Sequence, residues 1–234
     1  MERLSWYGTT ADHGGFMTYI IGMVSQKGGA GKSTLARLFA RELAKDGFSV
    51  KIADLDTQQT TCTDWAADRA EASHQPEIQV QPFGNLKTAL KDAERFDAYI
   101  LDGRPHSSQQ TLEIARAADL VVIPTGQTKD DLRPAVKLAH SIADAGVSEE
   151  RIAFALVKTT NSAAELTAAR SYLEQTDYLT LDGFIPVSTA YGIAHDNGKT
   201  ATETPHRSLN SKAEQLAQAI INRLVSLTES KEVA

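Results

Sequence analysis

The stretch Gln26-Lys27-Gly28-Gly29-Ala30-Gly31-Lys32-Ser33-Thr34 constrains this chain more than any other. An apolar run, Tyr19-Ile20-Ile21-Gly22-Met23-Val24, leads into it. Behind it Leu35, Leu38, Phe39 and Leu43 recur at helical spacing. Strand, glycine-rich loop and helix in that order are the context a phosphate-binding loop requires. The glycines let backbone N–H groups turn inward around an anion. A helix starting near Lys32 adds the positive end of its dipole. In such a loop Lys32 can reach the β- and γ-phosphates, and the Ser33 hydroxyl can hold Mg²⁺.

Further strands follow. Ser49 to Asp56 ends in two carboxylates, Asp54 and Asp56, and Phe96 to Asp102 ends in one. Asp119 to Pro124 is an apolar run that Pro124 is expected to stop. A short strand is expected at 78–80, another at 151–157 and a last one at 179–186. Helices are expected from Lys32 to about Asp46, around Trp65, at 86–93, 130–145 and 163–173, and over Leu209–Leu227. Alternating short apolar strands and helices give an α/β fold: a mostly parallel, twisted sheet with helices on both faces. Right-handed crossovers bring every loop that follows a strand to one sheet edge. The phosphate loop, Asp54, Asp56, Asp102 and the Pro124-Thr125-Gly126 turn can therefore share one crevice.

Residues 1–16 carry no period and read as a flexible extension; residues 17–234 read as a single domain. The net charge is −6, so any nucleic-acid contact needs a local basic patch. The one cysteine, Cys62, excludes a disulfide framework and a Cys-built metal site and reads as an ordinary small side chain. No apolar run approaches the ~20 residues that span a bilayer. His106 and His195 read as surface residues, and the six histidines form no ligand cluster.

The loop departs from the ordinary G-x-x-x-x-G-K-[ST] pattern: Gln26 stands where the first glycine would fall, and a second lysine, Lys27, opens the loop. K-G-G-A-G-K-S resembles the deviant Walker A motif of the ParA/MinD family of P-loop ATPases. The resemblance extends over about residues 18–228. It implies that Lys27, Gly28, Gly29, Ala30, Gly31, Lys32, Ser33 and Thr34 bind ATP, and that Lys27 reaches the nucleotide of a partner subunit. Asp54-Leu55-Asp56-Thr57-Gln58 is similar to the family's D-x-D-P-Q segment, with Thr57 in place of proline. By that likeness Asp56 orients the hydrolytic water and, with Lys27, forms the catalytic pair. Ser33, Asp54 and Asp102 would serve Mg²⁺. Asp102-Gly103-Arg104-Pro105 departs from the commoner D-x-P-P and adds a cation, Arg104. Pro186 and the segment after it, with Lys158-Thr159, would line the nucleotide base.

Within the family, nitrogenase-iron-protein relatives need cluster cysteines that a single Cys62 cannot supply. MinD-type relatives carry a basic membrane helix, whereas this chain ends in acid-containing Thr228-Glu229-Ser230-Lys231-Glu232-Val233-Ala234. The ParA branch fits best. It implies an ATP-dependent homodimer, sequence-nonspecific DNA binding, a ParB-like centromere-binding partner and no membrane. It also implies weak, partner-stimulated hydrolysis that segregates plasmid or chromosomal DNA. The expected location is the cytoplasm, on the nucleoid when ATP is bound. Lys199, Arg207, Lys212 and Arg223 are the expected DNA contacts. A MinD-like or cargo-positioning ATPase, or a dethiobiotin-synthetase-like ATP-dependent enzyme on the same fold, is the alternative.

Overall fold

The computed structural model describes residues 18–232, so the expected extension over 1–16 lies outside the described residues. In chain order the elements are β1 (Tyr19–Met23), α1 (Lys32–Lys45), β2 (Val50–Asp54), α2 (Thr61–Glu71), β3 (Gln79–Pro82), α3 (Leu86–Leu90), β4 (Ala98–Asp102) and α4 (Ser108–Ala117). Then come β5 (Leu120–Thr125), α5 (Lys129–Asp144), β6 (Ile152–Thr159), α6 (Ala163–Leu173), β7 (Leu179–Thr180), β8 (Ile185–Pro186), α7 (Thr189–Asp196) and α8 (Arg207–Glu232).

The sheet runs β3-β2-β4-β1-β5-β6-β7, with β8 also on β6, and every recorded pairing is parallel. Alternate strand residues feed two separate cores. Ile21, Met23, Ile52, Ile100, Val122 and Ala155 pack with α1, α2, α7 and α8. Ala53, Tyr99, Leu101, Val121, Ile123 and Phe154 pack with α3, α4, α5 and α6. Strands buried on both faces need unbroken apolar runs, which is how β4 and β5 read. Gly22 in β1 lets α4 close down on the sheet, because a Cβ there would lie 2.7 Å from Ile114 Cγ2.

Three sequence expectations change here. Pro124 does not stop β5. The β1–β5 ladder already ends at Val122, so the N–H that Pro124 lacks is not needed, while its other side pairs in register with Ala155 of β6. The expected strand at 179–186 is two short ones, broken around Gly183, whose φ of +80° suits glycine alone. Helix α4 was not expected. The Ser107 side chain caps it and it buries Ile114 and Ala115, but at 10 residues it offers little periodicity to read.

Candidate nucleotide site

The carboxyl ends of β1, β2 and β4 are level: Met23 pairs with Asp102, and Asp54 pairs with Asp102. That register places the phosphate loop after β1 beside both acids. Within the loop Gly29 and Gly31 take φ of +69° and +106°, so the backbone reverses as an anion cradle must. Gly31 is held twice over, since a Cβ there would lie 2.8 Å from Val157 Cγ2. Helix α1 begins at Lys32, aimed by the Leu35 N–H bond to the Gly31 carbonyl. Gly28 and Gly29 are exposed; Ala30, Ser33 and Thr34 are half-buried.

Lys32 is buried. Burial pulls its pKa below the usual lysine value, and Asp102 and Asp56 partly offset that. Asp102 is 2% exposed. Burial pushes its carboxyl up to about 6, against the Ser33 hydroxyl, the Cys62 thiol and Lys32. Its Oδ1 has no hydrogen-bond partner, an uncommon state for a buried carboxylate. Unsatisfied buried oxygen, a hydroxyl at Ser33 and a glycine cradle fit a Mg²⁺-nucleotide. Among the described residues no three of His, Cys, Asp and Glu converge as a metal cage. Mg²⁺ does not need one, because it keeps waters and takes phosphate oxygens.

Asp54 is placed differently from the sequence expectation. It is fully buried, and its carboxylate serves the backbone. Oδ2 accepts from the N–H groups of Cys62 and Thr63 and from the Thr63 hydroxyl, all at 3.0–3.1 Å. Oδ1 accepts from the Asp56 N–H at 3.1 Å. Thr60, in the left-handed region, gives α2 no side-chain cap, so Asp54 supplies it from β2. Asp54 thereby fixes Asp56, whose Oδ1 accepts from Gln58 N–H and Gln59 N–H at 3.3 Å.

Lys27 has a berth in its own subunit. Its Nζ donates to the Asp131 carboxylate at 2.9 Å and to the Asp130 carbonyl at 2.5 Å, both on the first turn of α5. Three residues build that berth. Pro134 sits inside α5 and has no N–H for the Asp130 carbonyl, which is left to Lys27. Gly126 makes room, since a Cβ there would lie 2.4 Å from Asp131 Oδ2. Thr128 Oγ1 donates to that same oxygen at 2.8 Å. Burial raises the Asp131 carboxyl, but the bonds from Lys27 and Thr128 outweigh it and leave it below the usual range. Sequence reading missed Asp131, 104 positions away; a proline inside a helical pattern was the available signal.

Cys62 is more than a filler. Its thiol donates to Asp102 Oδ2 at 3.2 Å, and burial pushes its pKa well above the usual value. On the far side Pro186 is buried and pairs with Thr159, whose Oγ1 is buried without a partner. Lys158 takes φ of +55° and brings its Nζ within 3.8 Å of a Cβ built on Gly29. His106 is exposed, as expected, but its Nε2 lies 3.9 Å from a Cβ built on Gly28. His195 corrects the surface reading: it is half-buried with Nε2 unpartnered, and burial, with Arg37 nearby, pushes it down to about 4. Arg104 is half-buried, and its N–H donates to Gln110.

Two of the four expected DNA contacts are engaged internally. Lys212 donates to Asn161 Oδ1 at 2.6 Å and stands over the Phe184 ring. Arg223 donates twice to the Glu150 carbonyl. No described helix is long and apolar enough to cross a membrane.

A family described as "ATPase MipZ" matches residues 19–168, well over half of the chain. Among curated proteins, the chromosome-partitioning ATPase Soj of Thermus thermophilus is 32% identical over 133 residues, which cover 44% of this chain and 53% of Soj. The chain thus spans about half the length of the curated relative it matches. Among solved structures, the septum site-determining protein MinD of Pyrococcus horikoshii, complexed with Mg-ADP, superposes with TM-score 0.70 at 17% identity, covering 87% of this chain and 96% of MinD. The McdA–ATP complex of Cyanothece gives TM-score 0.67 at 17% identity, covering 88% and 97%. At such identities these two show the common fold.

Proposed function

The chain belongs to the MipZ ATPase family, and on that premise we propose that it is an ATP-driven switch that dimerises, binds DNA without sequence preference and takes part in DNA partition. The observation that carries the reading is the buried Lys32 set between Asp102 and Asp56, with Asp102 Oδ1 unpartnered at the end of a glycine cradle.

In this reading the backbone from Gly28 to Thr34 and the Lys32 ammonium bind the phosphates of ATP. Ser33 and Asp102 hold Mg²⁺, which supplies charge neutralisation at the phosphates. Asp56 positions the attacking water and Asp54 positions Asp56. The zone of Thr159 and Pro186 receives the base. Lys27 leaves Asp131 and reaches the nucleotide of a second subunit. Two subunits close face to face, and the closed dimer binds DNA. A centromere-binding protein of the ParB kind stimulates hydrolysis and returns the monomer. The chain then works in the cytoplasm and gathers on the nucleoid while ATP is bound.

The test is DNA binding by the purified chain with ATP, with ADP and with neither, at two salt concentrations, with Lys32→Ala as control. Binding confined to ATP and weakened by salt supports the switch. DNA binding in no nucleotide state refutes it and turns attention to a protein-positioning relative or a metabolic ligase.

A further inference from the structure

We infer that the DNA surface of this protein is the outer face of α5, built on Lys129, Arg133 and Lys137, rather than the last helix; this rests on the DNA-binding reading above. All three residues are exposed. Their i, i+4 spacing sets each about 40° round the helix and about 6 Å along it from the last, so they form one stripe. None has a salt-bridge partner among the described residues. The opposite face of the helix buries Leu132, Leu138, Ala139 and Ile142 against the sheet, so the stripe is carried on a fixed support.

Three of the four competing positions are weaker. Lys212 and Arg223 are held by Asn161, Phe184 and the Glu150 carbonyl. Lys199 borders a groove lined by Asp68, Glu71 and Asp196, an acidic setting that repels a phosphate backbone. In a chain with net charge −6, a run of unpaired cations on one helix face is the local patch that phosphate contact requires.

The stripe also begins where the nucleotide site ends. Lys129 lies two residues from Asp131, on the same helical turn that holds Lys27. Departure of Lys27 breaks its bonds to the turn that carries Lys129, so the nucleotide state is felt at the start of the stripe.

The experiment uses full-length protein in its ATP-bound form and a random-sequence DNA duplex, with anisotropy read between 50 and 200 mM salt, conditions chosen for the steepness of ion release. The comparison is wild type, the K129Q/R133Q/K137Q variant and the K212Q/R223Q variant. Removing three phosphate contacts makes the log K against log salt slope shallower by about 3, so the wild-type advantage over the α5 variant shrinks roughly 40-fold across that range. ATP affinity of the α5 variant stays at the wild-type value, read with a fluorescent ATP analogue. An unchanged slope in the α5 variant, or a loss of slope confined to K212Q/R223Q, overturns the assignment to α5 and leaves the DNA-binding reading intact. Wild type that binds no DNA in any nucleotide state overturns both.

Discussion

If Lys27 must leave its own subunit to serve a partner, whatever holds it at home opposes dimerisation. The holding groups are the Asp131 carboxylate at 2.9 Å and the Asp130 carbonyl at 2.5 Å. Asp131→Asn keeps the shape of the side chain and an oxygen for Thr128 but removes the charge that faces Lys27. The pair is 44% and 37% exposed, so solvent screens it, and the charge contributes about 0.5–1 kcal/mol rather than a buried-pair value. Two lysines leave per dimer, so the shift is about 1–2 kcal/mol, a dimer dissociation constant tighter by roughly 5- to 30-fold. Sedimentation velocity over a concentration series, with a non-hydrolysable ATP analogue, reads it directly. The difference between variant and wild type narrows in high salt, because an exposed pair is screened. An Asp131→Asn dimer that is no tighter than wild type, or weaker, refutes the berth as an opposing contact.

Gly126→Ala attacks the same berth sterically: the new methyl collides with Asp131 Oδ2, so dimerisation is expected to tighten while the melting temperature falls. Pro134→Ala restores an N–H to the Asp130 carbonyl, which competes with Lys27; the helix gains up to about 3 kcal/mol, and thermal melts should rise by several degrees. Asp56→Ala is expected to dimerise with ATP yet release no phosphate in a single-turnover assay, and full turnover would remove Asp56 from the hydrolytic step. Asp102→Asn is expected to stabilise the nucleotide-free protein in chelator at pH 8 and not at pH 4. The sign follows from a folded pKa of about 6 above the ordinary 3.8: stability from that carboxyl is complete below 3.8 and lost as pH rises through 6. The gain at pH 8 is at most about 3 kcal/mol, and an equal gain at both pH values would show that burial of the charge is not its cause.

The phosphate loop, the strand order of its acids and the two-faced sheet were legible because each depends on local pattern. Glycines at 28, 29 and 31, an apolar run ahead and a helical period behind leave few other structures. Parallel crossovers then carry Asp102 to the loop without any contact needing to be known. What stayed hidden were pairings over long separation that follow no period. Asp54 lies where the sequence puts it, yet its oxygens go to the start of α2, because the turn at Thr60 leaves that helix uncapped. Cys62 meets Asp102 only because α2 begins where Asp54 holds it. His195 looks like a surface residue on an 8-residue helix until α7 packs its Tyr191 and Ala194 inward.

Most of the local rules that the described residues break are broken in one place. Of its four described non-glycine residues with positive φ, three flank the phosphate loop: Thr60 after β2, His106 after β4 and Lys158 near the end of β6. Each such conformation costs on the order of 1 kcal/mol and persists only where the surroundings hold it. Pro134 inside α5 adds a lost helical bond at the same edge. A fold selected for stability alone would have glycine at the first three positions and alanine at the fourth. Lys158 instead brings an ammonium to Gly29, His106 a ring to Gly28, and Pro134 a free carbonyl to Lys27. Three of these four exceptions place a nitrogen or an oxygen at the rim of the loop, where a bound anion or a second subunit would meet it. Strain so distributed fits a surface shaped for those two ligands better than it fits a structural turn.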